Sequence, residues 1–273
     1  MKKTLIALLA LSGLASADFI WNGGAGTISA AQWATQSNWT LTGSDVGTWN
    51  GNVGPGAPGQ ASGTAGDKMY KAHIVIRDSI TITPVLEGWF PTMSVENNSS
   101  VTAVFNKFQA ATMSVSEGST LDVTVNGDIK DGQNYTVNGT MILNATNDNE
   151  LQAIRLTLGD NASFTLKNSN HTVTENSGGA FTLNAHLFGV ADEISTRTLI
   201  HYDNASISGF DKITCNFGEG WTNVGDGEIT GAYQYKLVNT DAGLTVKYMV
   251  PEPATAALSL LALAGLAARR RRK

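Results

Sequence analysis

The chain is 273 residues long and carries 18 basic and 23 acidic side chains, a formal charge of −5. Lys2, Lys3 and the five basic residues that close the chain lie at its two ends, so residues 18 to 250 hold 11 basic and 22 acidic residues, a net charge of −11. Such a middle disfavours nucleic acid and anionic lipid as partners. A single cysteine, Cys215, rules out an internal disulfide and leaves burial and backbone pairing to hold the fold.

In chain order, Lys2 and Lys3 are followed by an apolar run from Thr4 to Leu14 and by the small residues Ala15-Ser16-Ala17. A basic start, an apolar middle and small residues before the cut make a secretory signal peptide over residues 1–17. It predicts passage through the Sec translocon, recognition of Ala15 and Ala17 by signal peptidase, and a mature chain that begins at Asp18. Residues 18–66 then hold four of the six tryptophans, Trp21, Trp33, Trp39 and Trp49, and end in a Gly-, Pro-, Ala- and Ser-rich stretch from Gly51 to Gly66. Bulky rings among turns suit an N-terminal cap over a stack of repeats. If exposed, Trp33, Trp39 and Trp49 would instead offer ring faces to glycans or exopolysaccharide.

Residues 67–189 lack sustained helical periodicity. Short runs such as Ile74-Val75-Ile76, Leu121 to Val125 and Phe164 to Leu166 alternate apolar with polar residues and are separated by Asn-Gly, Asp-Gly and Asp-Asn turns, which predicts an all-β fold. The runs also repeat. Met93-Ser94-Val95, Met113-Ser114-Val115, Tyr135-Thr136-Val137 and Leu156-Thr157-Leu158 begin 20, 22 and 21 residues apart; three are followed by a second apolar-polar-apolar triplet, and Tyr135-Thr136-Val137 by Met141 to Leu143 after a shorter loop. Such a period predicts a solenoid, here a right-handed parallel β-helix with Val115, Leu121, Val123, Leu158, Phe164 and Leu166 turned inward. The alternative is an antiparallel β-sandwich in which the same triplets are hairpin strands. Residues 190–249 read as further strands that close the other end. The opening Trp21-Asn22-Gly23-Gly24, with Asn38-Trp39-Thr40 and the Pro/Gly-rich loop behind it, resembles the start of β-helical autotransporter-like and adhesin-like surface proteins.

The side chains that carry chemistry do not converge in sequence. His73, His171, His186 and His201 show no zinc-ligand spacing, and there is no nucleophile elbow or phosphate-binding loop, so the sequence predicts neither an enzyme nor a bound cofactor or metal. Asn147-Asp148-Asn149-Glu150 and the set Asp122, Asp128 and Asp131 supply oxygen ligands of the kind calcium needs, but without a calcium-loop pattern they read as polar turn tips. Cys215 reads as a small buried apolar residue.

At the C-terminus, Pro251-Glu252-Pro253 separates the strands from the remaining residues. Residues 254–268 are then uncharged, and Arg269, Arg270, Arg271, Arg272 and Lys273 end the chain. At about 1.5 Å per residue a helix over 254–268 reaches roughly 22 Å, a marginal transmembrane span whose basic end favours the cytoplasm. This order of parts over 250–273 resembles the PEP-CTERM sorting signal of Gram-negative bacteria. The resemblance implies an exosortase as processing partner, a transient inner-membrane anchor, and delivery to the cell surface or extracellular matrix. The role expected there is structural or adhesive; the alternatives are a carbohydrate-binding surface protein and a β-helical polysaccharide-degrading enzyme.

Overall fold

The alternation of apolar and polar residues becomes two long sheets and one short one in a computed structural model that describes residues 18–42, 73–86, 92–108, 111–130, 132–151, 153–174 and 180–251. The first coil contributes β1 (Asp18–Trp21) and β2 (Gly26–Ile28), followed by a short helix α1 (Ala30–Trp33) and β3 (Trp39–Thr42). The next three coils each supply two strands: β4 (His73–Ile76) and β5 (Ile80–Ile82), β6 (Thr92–Val95) and β7 (Ser100–Phe105), β8 (Thr112–Val115) and β9 (Thr120–Val125). Three coils of three strands follow: β10 (Asn134–Val137), β11 (Thr140–Ala145) and β12 (Asn149–Leu151); β13 (Arg155–Leu158), β14 (Ser163–Lys167) and β15 (Asn170–Val173); β16 (Thr182–Ala185), β17 (Ile194–Asp203) and β18 (Ser206–Ser208). The chain finishes with β19 (Thr214–Asn216), β20 (Thr222–Asn223), β21 (Gln234–Thr240) and β22 (Gly243–Met249).

Strands of one coil pair in parallel with those of the next, so the body is a β-solenoid. The nine-stranded sheet runs β19-β16-β13-β10-β8-β6-β4-β1-β3, and the ten-stranded sheet runs β2-β5-β7-β9-β11-β14-β17-β22-β21-β20. The period read from the sequence is the register of the structure. Met93, Met113, Tyr135 and Leu156 are successive Cα partners and form one interior column. Val101, Leu121, Met141 and Phe164 form the facing one. Val115, Leu121, Val123, Leu158, Phe164 and Leu166 are all at most 3% exposed, as the inward pattern requires. Among the described residues, antiparallel pairing is confined to β1 with β3 at one end and to β17, β22 and β21 at the other, so the sandwich alternative is set aside. The stack is longer than expected at both ends. β1 and β2 already pair as a coil with β4 and β5, inside the region read as cap, and β18 and β19 continue the stack beyond residue 189.

Where a coil turns a corner, buried polar side chains repair the backbone. Gln133 is fully buried; its Oε1 accepts from the Ala111 N–H at 3.1 Å and from the Tyr135 hydroxyl at 3.3 Å. Asn149 lies inside the third face, where its Oδ1 accepts from the Ile129 N–H at 2.9 Å and its Nδ2 donates to the Asn147 carbonyl. These bonds replace ladder bonds the corner cannot make. One neighbour is less well served: His171, the register partner of Asn149, shares a 2.8 Å hydrogen bond between Nε2 and Ser169 Oγ, while its buried Nδ1 has no partner.

Candidate functional site

The outward side chains line up as the inward ones do, and the result is a set of polar ladders. On the nine-stranded sheet one outer row runs Ser94, Ser114, Thr136, Thr157, Asn184 and Asn216. Neighbours within it hydrogen-bond across coils: Ser94 with Ser114 at 2.8 Å, Asn184 to Thr157 at 3.3 Å, Asn216 to Asn184 at 3.2 Å. The ten-stranded sheet and the corner beyond it carry a second chain, Asn144 to Thr124 at 3.2 Å, Asn168 to Asn144 at 3.0 Å and Asn204 to Asn168 at 3.4 Å. Each bond contributes about 1 kcal/mol or less where water competes. Their regular placement is the chemically distinctive feature of the wall.

At the N-terminal end the first row joins a charged chain. Asp18 Oδ1 lies 3.0 Å from His73 Nδ1, and His73 Nε2 lies 2.6 Å from Ser94 Oγ. With the proton on Nδ1, the ring donates to Asp18 and accepts from the Ser94 hydroxyl, the connectivity of an acid, a base and a nucleophile. Sequence spacing could not reveal it, because His73 is 55 residues from Asp18 and 21 from Ser94. An acyl-transfer site also needs room and oxyanion donors. Ser94 is only 7% exposed, and β6 is paired on both sides, by β4 and β8, so its backbone N–H groups are committed to the ladders. The chain of bonds thus clamps the first coil to the three that follow.

One polar concavity arises from a turn length. β10 and β11 are joined by Asn138-Gly139 alone, whereas the turns above and below run 116–119 and 159–162. A Cβ on residue 139 would collide with the carbonyl oxygens of Ser116 and Ser119, so the short turn requires glycine. The missing residues leave a notch of about 370 Å³ lined by Ser116, Glu117, Asn138, Asp160 and Asn161. His186 Nδ1 approaches Asp160 Oδ1 at 3.4 Å. Amides and carboxylates around an open notch suit hydroxyl-bearing ligands.

The tryptophans correct an expectation. Trp33 is fully buried and Trp39 is 5% exposed, so neither offers a face to a glycan. Their rings pack on each other edge to face at 4.6 Å, Trp21 stacks on Trp33 at 5.5 Å, and Trp39 Nε1 donates to the Trp33 carbonyl at 2.8 Å. Apolar area and satisfied indole N–H groups both favour the interior. Ser29 and Gln32 form a capping box that fixes α1, which carries Trp33 inward. Trp49 lies outside the described residues, as do Ala15, Ala17, Asp131, Glu252, Pro253 and Arg269 to Arg272.

The other candidates of the sequence are occupied by structure. Asp148 Oδ1 accepts from the Asn170 N–H at 2.8 Å, and Asn149 is buried in the third face. Asp122 faces outward on β9, where partial burial raises its pKa and Lys167 opposes the rise. Among the described residues no three His, Cys, Asp or Glu side chains converge on a point where a metal ion would fit. Burial pushes the Cys215 thiol up to about 12, which leaves it protonated and unreactive at neutral pH.

Beyond the last strand, Val250 forms a bridge with Ala191, and Pro251 begins the segment that leaves the body. Residues 250–273 match the family model described as the PEP-CTERM protein-sorting motif. The chain carries a surface-sorting signal. That motif marks it as an exported surface protein processed by an exosortase. No curated protein and no solved structure matches the chain. Among the described residues no helix is long and apolar enough to cross a membrane, and the helix expected over 254–268 lies outside them.

Proposed function

We propose that the sorted body is a rigid structural or adhesive element of the cell surface or extracellular matrix of a Gram-negative bacterium, and that it is not an enzyme. Its coils are taken to wind right-handed, the general hand of parallel crossovers. The signal peptide brings the chain through the Sec translocon, and the C-terminal segment holds it transiently in the inner membrane until the exosortase acts. The observation that carries the reading is the outer ladder from Ser114 to Asn216, which repeats hydroxyl and amide groups at one strand spacing, about 4.8 Å. Groups repeated along a stiff wall favour many weak contacts over one deep pocket, and such contacts gain strength by multivalency. A second reading, glycan binding at a discrete site, is favoured by the notch around Asn138.

The test incubates the purified body with a panel of polysaccharides and glycoproteins while binding, reducing ends and unsaturated products are followed. The expected result is no turnover and binding that strengthens steeply with ligand density. Binding at low density that Asn138→Ala or Asn161→Ala abolishes supports the second reading. Turnover that disappears in Ser94→Ala or in Glu117→Gln would overturn the structural reading.

A further inference from the structure

Five large apolar or aromatic side chains among the described residues are more than two-fifths exposed: Val85, Phe188, Val190, Ile194 and Tyr233. Four of the five gather where the chain leaves the body. Ile194 is the register partner of Met249, and the Tyr233 N–H donates to the Met249 carbonyl at 2.9 Å. The Tyr248 hydroxyl donates to the Phe188 carbonyl at 2.7 Å, and Ala191, next to Val190, bridges Val250. The segment from Phe188 to Ile194 is therefore latched to the last strand, with Phe188 51%, Val190 61% and Ile194 56% exposed. These exposed apolar side chains surround the tip of the last strand, with the exposed acids Asp192 and Glu193 among them, and such a concentration calls for a partner.

The residues after Val250 point to that partner. Only Pro251, Glu252 and Pro253 separate it from the apolar run that begins at Ala254. Three residues reach at most about 10 Å, so while that run is in a bilayer this end of the body lies at the headgroups. The run is itself short for a span, roughly 22 Å against about 30 Å of hydrocarbon, which draws its flanks toward the membrane. The patch is composed as membrane interfaces are, with Phe188, Val190 and Ile194 for the acyl boundary and Tyr233 for the headgroups. The cross-strand neighbours Lys236 and Lys247, which share a concavity with Ile194 and with the carboxylate of Glu228, stand nearby for phosphates.

We infer that Phe188, Val190, Ile194 and Tyr233 form a membrane-docking patch, which seats the body on the lipid surface while its C-terminal segment is still attached. The inference rests on the anchor reading proposed above. The net charge of −11 in the body opposes adsorption to anionic lipid, so docking depends on the tether and ends when the tether is cut.

The experiment reconstitutes the chain from Asp18 to Lys273 in phosphatidylcholine vesicles, with a polarity-sensitive fluorophore on Val190→Cys and, separately, on Thr27→Cys at the far end of the ten-stranded sheet. Cys215 stays in place, since its protonated, partly buried thiol reacts slowly. The expected result is a several-fold gain in intensity and a shift to shorter wavelength at position 190, quenched by spin-labelled lipid, with no change at position 27. If the chain floats with the vesicles while the 190 probe keeps its aqueous spectrum, the patch is overturned and the anchor stands. If the chain does not float, both fail. A 190 signal that grows with protein concentration without vesicles, or that needs native membranes and is missing in pure lipid, would replace lipid with a protein partner and overturn the inference.

Discussion

At the N-terminal end the stack of coils is closed by rings: Phe19, Trp21, Trp33 and Trp39 pack into one aromatic cluster, and β3 lies antiparallel on β1 to cover its edge. The C-terminal end carries rings too, with Phe217, Trp221, Tyr233, Tyr235 and Tyr248 packed edge to face beside the ten-stranded sheet, but its closure is built on strand pairing. There β17 keeps β14 as its parallel partner along one edge and takes β22 as an antiparallel partner along the other, and β22 pairs in turn with β21. Both ends reverse the strand direction, the first with one short strand beside its ring cluster, the other with a longer antiparallel extension of two strands. Both remove an open edge that would otherwise invite another chain. A repeat, then, cannot end itself: its last unit must differ from the rest, in side-chain size or in backbone direction.

Two different closures make sense only if the coils between them obey the repeat, and the largest expected effect tests that. Leu158→Asp puts a carboxylate into a dry interior and should cost about 4 kcal/mol or more in urea unfolding, while Thr157→Asp on the outer face should stay within about 0.5 kcal/mol. Equal costs would mean the alternation does not set the interior. Next, Trp33→Ala removes the centre of the aromatic plug and should cost about 3 to 5 kcal/mol. In a quasi-one-dimensional molecule that loss should raise hydrogen exchange in residues 18–42 and leave 234–249 protected. Exchange that rises at both ends would show that the two closures are not independent.

A third expectation concerns acid. Burial lowers the His171 pKa from 6.5 to about 4, an effect the nearby Asn149 backbone and Asp148 carboxylate offset only in part. The unfolded chain therefore takes up the proton first. Stability is full above about pH 6.5 and falls by up to about 3 kcal/mol as pH drops toward 4. His171→Leu should flatten that slope in denaturant titrations across the same window; an unchanged slope would place the acid sensitivity elsewhere. The smallest effect belongs to the C-terminal end. Gly243 has φ +152°, and a Cβ there would meet the Ile200 carbonyl oxygen. Gly243→Ala should cost about 1 to 3 kcal/mol and loosen β21 and β22 alone, as seen by hydrogen exchange.

The middle of the fold was legible because its register is a period: Met93, Met113, Tyr135 and Leu156 could be aligned by counting. The closures were not, since pairing direction leaves no mark in local alternation, and β22 reads like any other strand. The third face was hidden for a different reason. Asn149 and His171 occupy interior positions where the pattern calls for apolar residues, and a polar residue satisfied by its corner looks, in sequence, like one facing water. Trp33 and Trp39 pose the same problem in reverse, because a large ring is equally at home buried in a cap or exposed to a sugar. The Asp18, His73 and Ser94 chain crosses two coil spacings, so only the folded register brings it together.

The parallel stacking also suits one order of assembly. From Thr92 to Leu158 each strand pairs with one about a coil earlier, and steps such as Thr92 to Thr112 to Asn134 are only 20 and 22 residues long. Loops of that length close at small entropic cost, so a coil can form as soon as its own residues are available. A chain threaded outward from its N-terminus can thus wind progressively, with the aromatic cluster made first from residues 19 to 39. The antiparallel closure comes last, because β17 must wait for β22, whose final residue, Met249, immediately precedes the sorting motif. Winding is complete only when the last strand has emerged, at the moment the address label is reached.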